Sequence, residues 1–219
     1  MRSPDLEAGN RALALGAYTQ AFEIFNTMVD GGEDPAFFKL CEMAVNKQLN
    51  PNQAKELKEK LESAAHHRNE AACYNCAVLT ERGVLFEQNV VKAAALFRRA
   101  CGSSTPEAYA ALARLYIAHR GEFKAIRTLD VINLLEDGVR YGDPGAAYLL
   151  GMLYSKGELV NRCLRTAGKL LFAAERFGHR EAIALVAIMK TMGDAHEFIA
   201  QEAAGKSLYF DMRDRNVSL

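Results

Sequence analysis

The chain has 219 residues, 50% of them hydrophobic and 25% charged, with 27 basic and 27 acidic side chains. Such a composition can bury a sizeable core, and a net charge of zero argues against wholesale nucleic-acid binding, which needs a basic excess. Five Cys lack framework spacing, the N-terminus shows no apolar signal region, and no apolar run approaches the about 20 residues of a membrane span; these point to reduced thiols, a cytoplasmic location and no membrane insertion.

Taken in order, the chain reads as helices separated by turn residues. No useful stretch alternates Val, Ile or Thr with polar residues as a half-buried strand would. Asp34-Pro35 opens a helix, since Pro is tolerated at the first helical position. Asn50-Pro51-Asn52 reads as a turn between helices. The next run, NQAKELKEKLESAAHHRN, carries Leu57, Leu61, Ala64 and Ala65 at helical spacing. Its other face is solvated, with Lys55/Glu59, Glu56/Lys60 and Lys58/Glu62 as i,i+4 pairs. Further on, Pro106 and Asp143-Pro144 open helices, Gly83, Gly121, Gly157 and Gly193 close first helices, and Gly142 and Gly178 end second helices. Leu149, Leu150, Leu153 and Tyr154 again follow helical spacing.

The segments repeat. LLEDGVRYGDPGAAYLLGMLYSKGE, from Leu134 to Glu158, returns 36 residues later as LLFAAERFGHREAIALVAIMKTMGD. Ala36, Ala71, Ala108, Ala146 and Ala182 follow at intervals of 35, 37, 38 and 36. At the same offsets runs a column of small residues, Cys41, Cys76, Ala113, Gly151 and Ala187. Three residues later comes a larger one, Ala44, Leu79, Tyr116, Tyr154 and Lys190. A period of this length predicts stacked helix pairs. We expect a single repeat domain over 1–219, with units near 5–33, 34–69, 70–105, 106–143, 144–180 and 181–205. The tail 206–219, KSLYFDMRDRNVSL, with its apolar cluster Leu208, Tyr209, Phe210 and Met212, would cap the last unit or touch a partner.

AAYLLGMLYSKGELV, from Ala146 to Val160, followed by LLFAAERFGH, resembles the Sel1-like repeat family of the tetratricopeptide superfamily. EAYAALARLY is a weaker copy, and EAACYNCAVLTERGV with AAALFRRA weaker again. The first unit, EAGNRALALGAYTQAFEIF, is similar to an ordinary tetratricopeptide repeat, with Gly16, Tyr18, Ala21 and Phe25 at the usual spacings. Asn75 and Arg114 depart from the pattern at positions where it is usually apolar. The resemblance implies an all-α, right-handed superhelical solenoid of stacked antiparallel helix pairs, often bacterial, that binds a protein or peptide and is not an enzyme. First helices would line the concave face. Carrying the superfamily's groove positions over by the offsets gives Leu6, Asn10, Phe38, Glu42, Asn46, Cys73, Ala77, Glu81, Arg114, Tyr148, Met152, Lys156, Ile188 and Met192. Glu42 and Glu81 would make one end acidic. Arg114 and Lys156, beside Tyr148, Met152 and Met192, would make the other basic with apolar anchors of the type enriched at hot spots. The expected role is an adaptor. The alternatives are a dedicated chaperone or immunity protein for one exported or toxic protein and, more remotely, an enzyme or metal carrier.

Motifs for chemistry are weak. Cys73 and Cys76 share a helix face, but Cys76 falls in the small-residue column, so packing explains it, and a zinc site needs a second ligand pair. His66-His67 sits at the end of a different helix, where the helix dipole favours His. The run Ala200 to Ser207 imitates a phosphate loop but lacks its first Gly and a preceding strand. Arg98-Arg99 and Arg162/Arg165 are only small basic spots, and His119, His179 and His196 stand alone. No catalytic residue, metal, cofactor or nucleic acid is expected.

Overall fold

The computed structural model describes residues 4–191, and every regular element among them is an α-helix. In chain order these are α1 Pro4–Ala14, α2 Tyr18–Asp30, α3 Asp34–Val45, α4 Pro51–His66, α5 Glu70–Arg82 and α6 Val90–Ala100. They continue with α7 Glu107–Ala118, α8 Thr128–Arg140, α9 Pro144–Lys156, α10 Leu164–Arg176 and α11 Arg180–Thr191. The helices group into two compact units. One comprises Met1–Ala108 with Arg114–Phe123, the other Tyr109–Ala113 with Lys124–Leu219, so α7 contributes to both.

Local chemistry sets the helix starts. Asn50 accepts from the Gln53 amide at 3.0 Å while the Gln53 side chain accepts from the Asn50 amide at 3.1 Å. This reciprocal box, with Pro51 at the first position, makes Asn50-Pro51-Asn52 the beginning of α4 and not a separate turn. Asn69 and Asn89 cap α5 and α6 in the same way, accepting from the amides of Ala72 at 2.7 Å and Lys92 at 2.8 Å. Gly83 and Gly157 end α5 and α9 in the left-handed conformation, as their positions predict. Gly121 does not close α7. That helix ends at Ala118 with His119 as its cap, and Gly121 lies beyond it.

The loops after α5 and α9 are built alike from nearly unrelated sequences. In each, a left-handed Gly is followed two residues later by a left-handed Leu, Leu85 or Leu159. Gln88 donates to the Glu81 carbonyl and Arg162 to the Ser155 carbonyl, both at 3.0 Å and both seven residues back. The amide of Asn89 reaches the Thr80 carbonyl at 3.2 Å, as that of Cys163 reaches Tyr154 at 3.0 Å.

In the N-terminal unit α1 packs on α2, α2 on α3, α3 and α4 on α5, and α5 on α6. Phe25, Leu40, Met43, Leu57, Leu61 and Leu79 are fully buried there, each worth about 1.5–3 kcal/mol of apolar burial. In the C-terminal unit α8 packs on α9, α9 on α10 and α10 on α11, around Leu135, Leu150 and Leu170. The repeating alanines Ala36, Ala71, Ala108, Ala146 and Ala182 are at most 2% exposed, each within its own unit. The column through Cys41, Cys76, Ala113 and Gly151 is also buried, whereas Ala187 on α11 is exposed.

Gly138 of α8 allows a close approach: a Cβ there would lie 2.7 Å from the Cβ atoms of both Ala146 and Tyr109. Asp143 then ties the same helices by hydrogen bonds. It is 1% exposed, and its carboxylate accepts from the Gly145 amide at 2.8 Å and from the Ala110 amide of α7 at 2.9 Å. It is both N-cap of α9 and staple to α7. Asp143→Ala should therefore lower the urea-unfolding free energy by about 2–4 kcal/mol, and Asp143→Asn by about half of that. A midpoint for Asp143→Ala equal to wild type would remove the staple from the account.

Candidate partner-binding groove

Within the N-terminal unit, α3, α5 and the C-terminal part of α7 border an open groove of about 730 Å³. Phe38, Cys41, Glu42 and Val45 line it from α3 and Asn46 follows from the helix cap, at the i, i+3, i+4, i+7 spacing of one face. From α5 come Tyr74, Asn75, Val78, Glu81 and Arg82, and from α7 and its cap come Arg114 and His119. Phe38 and Tyr74 are in ring contact at 5.7 Å, and Tyr74 meets the buried Phe97 of α6 edge-on at 5.6 Å. The groove therefore has an aromatic wall fixed from behind by the core.

Its charges are unevenly paired. Glu42 is bound by Lys39 at 2.9 Å, and His119 faces Glu122 at 3.7 Å. Arg82 and Arg114 are exposed and have no acidic partner among the described residues. Asn75 is 3% exposed; its Nδ2 donates to the Ala71 carbonyl at 2.8 Å, one turn back.

Of the residues carried over from the repeat pattern, Phe38, Glu42, Asn46, Glu81 and Arg114 come together in this groove. Cys73 does not. It is 0% exposed and its Sγ lies 3.7 Å from the Ala65 carbonyl of α4, so the mapped position at the start of α5 faces inward, although Glu81 at its end does reach the groove. Ala77 is buried with it, and Tyr74 and Val78 stand in the groove instead. The sequence marked one of the missed residues, Asn75, by its polarity in an apolar column.

In the C-terminal unit Tyr148 stacks on the His179 ring at 4.3 Å, and Met152 packs against Leu171, Phe172 and Val186. Lys156 is exposed, 3.8 Å from Glu158. The side chains of Ile188 and Lys190, together with Met192, Gly193, His196, the run 200–207 and the tail 206–219, lie outside the described residues. On the outer helix α4, Lys55 pairs with Glu59 at 3.9 Å and Lys60 with Glu56 at 3.5 Å, while Lys58 lies 5.5 Å from the Phe86 ring centre.

The thiols divide into two kinds. Burial, reinforced by the neighbouring thiol of Cys76, pushes Cys41 far up. Burial also raises Cys73, and raises Cys76 to about 12. These are packed, unreactive thiols. Cys163 takes the place at α10 that Asn89 takes at α6, the N-cap. Its Sγ lies 3.2 Å from the Thr166 hydroxyl, and that hydrogen bond, then the Thr166 amide, hold the thiol below its ordinary value. Among the described residues no three His, Cys, Asp or Glu side chains gather in a metal-binding group, and no helix is long and apolar enough to cross a membrane.

Stacked helix pairs with first helices bordering an open groove define a helix-pair repeat protein. No protein-family model and no curated protein sequence matches the chain. Solved structures do. A Sel1 repeat protein from Oxalobacter formigenes superposes with a TM-score of 0.63 at 19% identity, covering 85% of this chain and 76% of that one. A protective antigen of uropathogenic Escherichia coli with an SLR fold gives 0.58 at 20% identity over 78% of this chain, which spans 37% of that protein. An immunity protein from Pseudomonas aeruginosa gives 0.51 at 19% identity, covering 83% and 68%. The chain has the Sel1-like repeat fold, as its sequence led us to expect.

The thiol chemistry is directly checkable. Iodoacetamide should label Cys163 in the native protein while Cys41, Cys73 and Cys76 react only after unfolding. Because the Cys163 pKa is depressed, its thiolate is present from a lower pH, and its labelling profile should lie to lower pH than in the urea-unfolded chain. Thr166→Val should move the native profile back upward; an unmoved profile would discard the hydrogen bond as its cause.

Proposed function

We propose that this chain is a non-enzymatic protein-interaction scaffold whose first-helix groove in the N-terminal unit takes a protein or peptide partner. One observation carries the reading: side chains from three successive first helices converge on an open groove with an aromatic wall and two guanidiniums that have no acidic partner among the described residues. Aromatic and Arg side chains in a concave setting are what binding hot spots use, and repeat folds make such surfaces by stacking. In the C-terminal unit Tyr148 and Met152 serve packing, and Lys156 remains a candidate contact. An adaptor of cytoplasmic bacterial type fits these features. The likeness to an immunity protein supports a second reading, a dedicated partner of one toxic or exported protein.

The test is site-specific crosslinking in the native host. Phe38 is replaced by a photoreactive benzoyl-phenylalanine, with the exposed Ser63 of α4 replaced likewise as control. An adduct should form from position 38, not from 63, and should vanish in Val78→Asp protein that keeps its helix content. One stoichiometric adduct would favour the dedicated partner, several weaker ones the adaptor. Adducts from position 63 alone would reject the groove.

A further inference from the structure

The column that holds Asn75 runs Leu40, Asn75, Leu112, Leu150 and Val186 at the repeat offsets. The four apolar members are at most 1% exposed, and Asn75 is nearly as buried at 3%. An amide at this place loses apolar burial and carries a desolvation cost. Nδ2 donates to the Ala71 carbonyl, while Oδ1 takes no bond from any described residue and keeps access to the open groove that the residue borders. Nothing in the packing requires Asn here, since the other repeats fill the position with Leu or Val.

Arg82 and Arg114 border the same groove. Glu42 is already neutralised by Lys39, which leaves two guanidiniums against the single carboxylate of Glu81. Glu81 and Arg82 are adjacent on α5, and adjacent helical residues do not face each other. A guanidinium presents its donors in a planar fork that matches a carboxylate.

Resting on the groove reading above, we propose that the groove recognises an acidic peptide segment. A carboxylate of the partner lies between Arg82 and Arg114, a neighbouring apolar side chain lies against Phe38 and Tyr74, and Asn75 Oδ1 accepts a main-chain N–H. Asn75 thus exchanges stability for recognition. Replacing it by the Leu of the other repeats should make the protein more stable and a poorer binder.

The test selects binders from a phage-displayed random 12-residue library on the full chain and titrates the selected peptides by calorimetry. The selected peptides should share Asp or Glu within a few residues of an aromatic or aliphatic side chain. Arg82→Glu/Arg114→Glu should weaken them by about 100-fold or more. Asn75→Leu should weaken them about 10-fold while raising the thermal midpoint by a few degrees. Peptides without acids, or indifferent to the charge reversal, overturn the proposal while leaving the groove in place if Val78→Asp still abolishes binding. Peptides indifferent to Val78→Asp, or no selected peptides at all, overturn both. An Asn75→Leu protein that is less stable, or that binds unchanged, removes Asn75 from recognition.

Discussion

Ala36, Ala71 and Ala108 in one unit, and Ala146 and Ala182 in the other, leave almost no surface to water. Each is a small side chain held inside the helix packing, and small side chains let helix backbones come close. Where even a methyl group is too much the chain uses Gly138, with Ala146 and Tyr109 directly over it. Close helix approach is the constraint from which the rest follows. It fixes the spacing of the stack, it makes burial of Leu and Phe between helices dense, and it leaves only one face of each first helix free. A larger residue in this column could be accommodated only by pushing helices apart, at the cost of many contacts at once.

Polar groups then secure what apolar packing leaves rotationally loose. Helix termini carry unpaired amides, and in this chain Asn50, Asn69, Asn89 and Asp143 satisfy them from the cap position. Asp143 does more than cap, because its second oxygen reaches another helix. The paired loops after α5 and α9 show how little sequence such a connection needs. Two left-handed positions and one side chain reaching back seven residues suffice, and Gln or Arg can supply the last.

The two thiol environments follow from the same geometry. A Cys inside the small-residue column is an apolar filler, and burial keeps it protonated. A Cys at a helix N-cap, like Cys163, meets unpaired amides and a hydroxyl, and the same atom becomes acidic. Residue type alone decided neither outcome. The groove shows a similar division: its wall is ordinary core chemistry, Phe38 against Tyr74 against Phe97, with a few polar groups set around that wall.

Helical class, the recurring alanines and the glycine stops at Gly83 and Gly157 could all be read from the chain. These are local properties, periodicity and backbone conformation, and each is written into a few adjacent residues. Four groove residues, Phe38, Glu42, Asn46 and Arg114, were legible too, because α3 and α7 keep the register that the repeat offsets carry. The phase of α5 was not. Ala71, Ala72, Cys73, Cys76, Ala77 and Leu79 are buried around most of its circumference, so the helix has no apolar stripe from which its groove-facing side could be deduced. Only the packing of α3, α4 and α6 against it turned Tyr74 outward and Cys73 inward. Pairing was partly a tertiary decision. Lys39–Glu42 is an i,i+3 pair that helix spacing already offers, whereas only distances in space decide that Arg82 and Arg114 meet no acidic partner among the described residues.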